Sequence, residues 1–77
     1  MKPSIPQREL KALSQALALA LAMADNGYEE DGYVCLLEGR LRARKLRDTG
    51  EPWGDDLLAS YSRWLNEFAE RFNVARE

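Results

Sequence analysis

Residues 12–24 read ALSQALALALAMA, thirteen positions without a charge, eleven of them apolar. At 100° per residue, Leu10, Leu13, Leu17, Ala20, Leu21 and Ala24 fall on one stripe of a helix, and Ala12, Ala16, Leu19 and Met23 form a second stripe beside it. Lys11, Ser14, Gln15, Asp25 and Asn26, with Ala18 and Ala22, fill the remaining side. A helix packed on a single core needs an apolar arc of only about 100°. This one is therefore predicted to be central in its own domain or shared between subunits. Alanine contributes to the width, because it is cheap to expose and a strong helix former. Leu19 and Met23 are the large residues left over, and they are the expected self-association contacts.

Outward from this stretch, Ser4 is placed to cap the helix, with Pro6 tolerated in the first turn. Asn26-Gly27 supplies residues that accept a left-handed stop, so the first helix is predicted over 5–25. Glu29, Glu30 and Asp31 then suit the positive end of a second helix over 30–48, and the basic residues at its tail suit the negative end. Thr49-Gly50 closes it. Within this helix Cys35, Gly39 and Ala43 recur every four residues, a strip of small side chains that lets a neighbour approach closely. Gly39 costs about 1 kcal/mol of helix propensity against alanine, which close packing would repay.

The third helix is predicted over 52–74, with Pro52 in its first turn and Asp55 and Asp56 near its amino end. Leu57, Leu58, Tyr61, Trp64, Leu65, Phe68, Phe72 and Ala75 share one arc of about 120°, the clearest amphipathic signal in the chain. Short connections make neighbouring helices antiparallel. The expected fold is all-α, a small antiparallel three-helix bundle forming a single helical domain over 1–77 and associating through its first helix.

A chain of 77 residues has one small core, worth roughly 3–5 kcal/mol of net stability. Cys35 is the single cysteine, so no internal disulfide supplements that core, and a lone thiol suits a reducing compartment. Histidine is absent, which removes the commonest general base and the commonest transition-metal ligand. Ser14, Ser60 and Ser62 lack the base a nucleophilic hydroxyl needs. A non-enzymatic protein without a cofactor is the expectation, with oligomerisation as the remaining source of stability.

The ends of the 12–24 run invite comparison with an export signal, since Lys2, Arg8 and Lys11 precede an apolar stretch finishing Ala22-Met23-Ala24. Glu9, Ser14 and Gln15 interrupt that layout. The run is also shorter than the 20 or so apolar residues a membrane span requires. A cytoplasmic protein is expected.

Charge is unevenly distributed. Arg40, Arg42, Arg44, Lys45 and Arg47 give the window 40–47 a charge of +5, so the rest of the chain carries −7 of the net −2. Arg40, Arg44 and Arg47, related by four and three residues, share a helix face, and Tyr33 lies seven residues before Arg40 on the same line. A row of guanidinium groups suits an acidic protein surface or a phosphate backbone. The acidic remainder favours protein, leaving nucleic acid as the alternative. The competing structural account is a helix tail favoured by the dipole, with Glu38 pairing Arg42.

Three further features have mainly structural readings. Residues 25–32 are rich in acids and glycine but out of register for a calcium loop, since Glu30 occupies the position of the turn glycine. Asp55 and Asp56 point about 100° apart on a helix and chelate poorly. Cys35 reads as a small packed residue. Trp64 falls inside the apolar arc of the third helix and is expected in the core. Trp53 precedes that arc and either staples the loop onto the bundle or anchors an interface, a role in which tryptophan is enriched; it is carried as a partner-binding candidate. Tyr28 poses the same choice. The expected function is that of a protein-binding module, an adaptor, inhibitor or regulatory subunit, using Tyr33, Arg40, Arg44, Arg47 and Trp53 toward an acidic partner, and Leu19 and Met23 toward a second copy.

Overall fold

A computed structural model describes residues 4–75. Three helices make up the fold, α1 (Gln7–Asp25), α2 (Glu29–Asp48) and α3 (Gly54–Phe72), and the described residues contain no strand. The helix stops fall where left-handed residues were expected, at Gly27 (φ 88°) and Gly50 (φ 92°). The starts differ from expectation. Ser4 does not cap α1; Pro6 occupies that position, and its carbonyl accepts the amides of Glu9 and Leu10 at 2.9 and 3.1 Å. Pro52 lies in the turn before α3, whose first residue is Gly54. At the far end Asn73 adopts the left-handed conformation (φ 55°) and the amide of Val74 returns to the carbonyl of Ala69, so α3 ends two residues earlier than its pattern suggested and Ala75 lies outside it.

Two buried clusters fix the topology. Leu13, Ala43, Trp53, Leu57 and Tyr61 join the first half of α1, the tail of α2 and the head of α3. Ala20, Ala24, Tyr33, Leu36, Leu65, Phe68 and Ala69 join the opposite halves. Neighbouring helices are therefore antiparallel, as their short connections require.

The central element is α2, the least apolar of the three helices, and not α1. Both neighbours pack along α2, whereas α1 and α3 touch each other only sparingly. Small residues make this possible. A Cβ at Gly32 would fall 2.6 Å from the carbonyl oxygen of Ala20 in α1, and one at Gly39 would sit against the Tyr61 ring of α3. Ala43 is fully buried between the same two helices. Backbone proximity thus replaces bulk on α2, and the wide arc of α1 is only partly used: Leu13, Ala20 and Ala24 are buried while Leu10 and Leu19 stay exposed.

Candidate functional site

The basic window of α2 is divided by the fold. Arg42 lies on the α1 side of the helix, where its two terminal nitrogens donate to the two carboxylate oxygens of Glu9 at 2.5 and 2.8 Å. Glu9 is the one buried charged residue among the described positions. This bond, rather than the helical pair with Glu38, is what Arg42 makes. The carboxylate holds the guanidinium pKa above its ordinary value, against the opposing effect of partial burial. Arg47 folds onto Asp48 at 3.0 Å and lies 3.9 Å from Asp55, while its backbone forms the seat on which Gly54 closes. Arg42 thus ties α2 to α1, whereas the Arg47 side chain is engaged at the surface by Asp48 and Asp55.

Arg40 and Arg44 are different. Among the described residues neither has an ion-pair partner. They line an open groove of about 340 Å³ between α2 and α3, together with Leu37, Leu41, Leu58 and Ser62. A second groove continues past Leu37 along the same edge, lined by Tyr33, Val34 and Val74. Val34 and Leu41 are 49% and 51% exposed. The result is an apolar ridge on the outer face of α2, ending in free guanidinium groups.

Two expected contact residues are buried in the core. Tyr33 is buried, its ring 6.4 Å from that of Phe68, because position 33 turns toward α3 even though it lies seven residues from Arg40. Trp53 is buried among Leu13, Ala43, Leu57 and Tyr61, so it staples the α2–α3 connection to the core. Trp64, expected inside, is only partly buried. Its ring carries the guanidinium of Arg63 at 5.5 Å and borders an apolar cleft with Leu17, Leu21 and Phe68 between α1 and α3. That position follows from the sparse contact between those two helices. Tyr28 is 59% exposed in the first connection.

On α1, Leu19 is half exposed and Met23 partly buried, so the face proposed for self-association is narrower than its sequence pattern. Cys35 lies against α1 with its thiol directed at the carbonyl of Ala16, 4.0 Å away. Burial, and secondarily the Glu38 carboxylate, push the thiol pKa up, which disfavours the thiolate. Tyr61 beneath Gly39 is likewise raised by burial, with Arg42 opposing and Glu9 and Cys35 adding to the effect. Among the described residues no helix is long and apolar enough to cross a membrane. No family model matches the chain, and neither a curated protein nor a solved structure matches it significantly.

Val34, Leu37 and Leu41 on this face were not singled out in the sequence. Their signal was present as a three-and-four spacing, but it runs through a helix of high overall charge in which the arginines stood out.

Proposed function

We propose that this chain is a small, non-enzymatic protein-binding module whose docking face is the outer side of α2. The observation that carries the reading is the line of exposed Val34 and Leu41 with half-buried Leu37 between them, running into Arg40 and Arg44, which make no ion pair among the described residues. An amphipathic helix lays its apolar face along such an apolar surface and its flanking groove, and guanidinium groups one turn apart select carboxylates at matching spacing. The partner is therefore a protein presenting a helix with an apolar stripe and acids toward one end. A regulatory or adaptor role fits such a surface, and the lone, shielded thiol suits a cytoplasmic setting. Pairing of Arg42 with buried Glu9 and of Arg47 with Asp48 at the surface leaves a short cationic surface, which favours protein over nucleic acid.

The test is capture on tagged protein from lysate of the native host, with and without nuclease. Wild type is compared with Leu41→Lys, with Arg40→Glu/Arg44→Glu, and with Leu19→Glu/Met23→Glu. Specific capture that resists nuclease, is lost in both α2 variants and survives in the α1 variant is the expected result. Capture abolished by nuclease would establish the nucleic-acid alternative instead, and capture indifferent to both α2 variants would remove α2 as the docking face.

A further inference from the structure

The outer face of α2 carries a fuller pattern than its apolar ridge. Glu30, Val34, Leu37, Leu41 and Arg44 follow one another at four, three, four and three residues, the spacing that keeps a seam on one side of a helix. The seam is acidic at its amino end, apolar in its middle and basic at its carboxyl end. Glu30 and Arg44 stand seven residues before and after Leu37, about 10 Å to either side along the axis. Both are exposed, and among the described residues neither has an ion-pair partner. A seam of this kind is its own complement when a second one is laid against it end for end.

We infer that the helix docking on α2 is the α2 of a second copy of this chain, antiparallel to the first across a two-fold axis near Leu37. The inference rests on the docking face proposed above and names its occupant. In this arrangement the Val34, Leu37 and Leu41 side chains of both copies meet at the centre, and each Glu30 faces the other copy's Arg44, so the ion pair forms twice, as an isologous contact demands. Asp31 and Lys45, one position further round the helix from Glu30 and Arg44, repeat the same exchange at the margin. A parallel pairing would set Glu30 on Glu30 and Arg44 on Arg44, so the charges select one orientation. The exposed face of α1 has no such selectivity, because residues 12–24 are uncharged. A single helix face falls at the small end of protein interfaces, so the dimer is weak and concentration-dependent.

Sedimentation equilibrium over a wide concentration range, on wild type and surface variants whose helical content is checked by circular dichroism, tests this directly. Wild type shows a reversible monomer–dimer equilibrium. Glu30→Arg and Arg44→Glu each weaken it by about tenfold, since either change turns two attractive pairs into two repulsive ones. The combined exchange Glu30→Arg/Arg44→Glu restores association to near the wild-type level. Leu41→Lys gives a folded monomer, and Leu19→Glu/Met23→Glu dimerises as wild type does. Failure of the double exchange to restore association, or monomeric wild type at every concentration, overturns the inference. A photo-crosslinking amino acid placed at Leu41 in the native host separates this failure from failure of the docking face itself. An adduct of twice the chain mass supports self-pairing. An adduct with a different protein overturns self-pairing but keeps α2 as the docking face, and the absence of any adduct overturns both.

Discussion

Removing Arg42 should destabilise this protein far more than removing its partner Glu9, although the two share the same pair of hydrogen bonds. The Glu9 side chain is 3% exposed and that of Arg42 is 55% exposed. Arg42→Met keeps the aliphatic stem of the side chain against the bundle and deletes only the charged end. The Glu9 carboxylate is then left in the interior, with Arg8 at 3.6 Å and largely in solvent as its nearest cation. Breaking a fully buried pair in this way costs about 3–5 kcal/mol, and the solvent exposure of Arg42 reduces the figure here to about 2–3. Glu9→Gln is cheaper, at about 1 kcal/mol, because the half-exposed Arg42 keeps access to water for its charge while one of its nitrogens can still donate to the amide oxygen.

The double variant Glu9→Gln/Arg42→Met should cost less than the sum of the singles, since the amide no longer demands a countercharge. Urea denaturation followed at 222 nm, at one fixed protein concentration so that association does not enter, reads all four proteins. For a domain of this size each kcal/mol moves the thermal midpoint by about 4–8 °C, so Arg42→Met should melt roughly 10–20 °C below wild type. Equal losses from the two single variants, or losses that simply add, would show that burial of Glu9 is not what makes the bond matter.

Other consequences follow from the same geometry. Gly39→Ala should destabilise by about 1–3 kcal/mol despite the gain of helix propensity, because its methyl group would enter the Tyr61 ring; pairing it with Tyr61→Leu should recover part of the loss in the same urea assay. Trp53→Ala should cost at least about 3 kcal/mol, since the ring is buried among Leu13, Ala43, Leu57 and Tyr61, and an exposed-interface role would instead leave stability unchanged. Stability should also decline at alkaline pH: the Tyr61 hydroxyl is raised by burial, so above about pH 10 the unfolded chain loses this proton first and the equilibrium is drawn toward it, a contribution that Tyr61→Phe removes while the raised Cys35 thiol keeps a decline of the same sign. Cys35 should react more slowly with a disulfide reagent at mildly alkaline pH than a free thiol does, and Glu38→Gln should increase its rate modestly.

How far the sequence reveals this protein depends on which side chains decide each feature. The existence of three helices, their stops and their antiparallel order were legible, because Gly27, Gly50 and the apolar period of α3 act through local backbone preference and simple amphipathicity. The identity of the central helix was not. Hydrophobicity pointed to α1; the small strip through Gly39 was legible as a place of close approach to one neighbour, but Gly32, which admits the other, was not. The site was half legible for a related reason. Spacing placed Arg40 and Arg44 together correctly, but it could not distinguish them from Arg47, which a local acid claims, or show that Tyr33 rotates inward onto Phe68. Glu9 was passed over as a first-turn residue, since nothing near it in sequence foretells a partner 33 residues away.

The polarity of α2 and its central position are linked. A helix flanked on two sides by neighbours has only its outer face left for solvent, and here the inner faces combine two large side chains, Tyr33 and Leu36, with Gly32, Gly39 and Ala43, which need little hydrophobic bulk. The charged residues are consequently concentrated on what remains. Arg42 turns toward Glu9 on one flank and Arg47 toward Asp48 and Asp55 at the tail. Glu30, Arg40 and Arg44 are left on the open side beside Val34 and Leu41. An outward face that only had to be soluble would gain nothing from two half-exposed aliphatic residues on one seam, and singly scattered leucines would serve as well. The alignment of apolar and oppositely charged residues on one line, on the helix against which both neighbours pack, is what the proposed docking rests on.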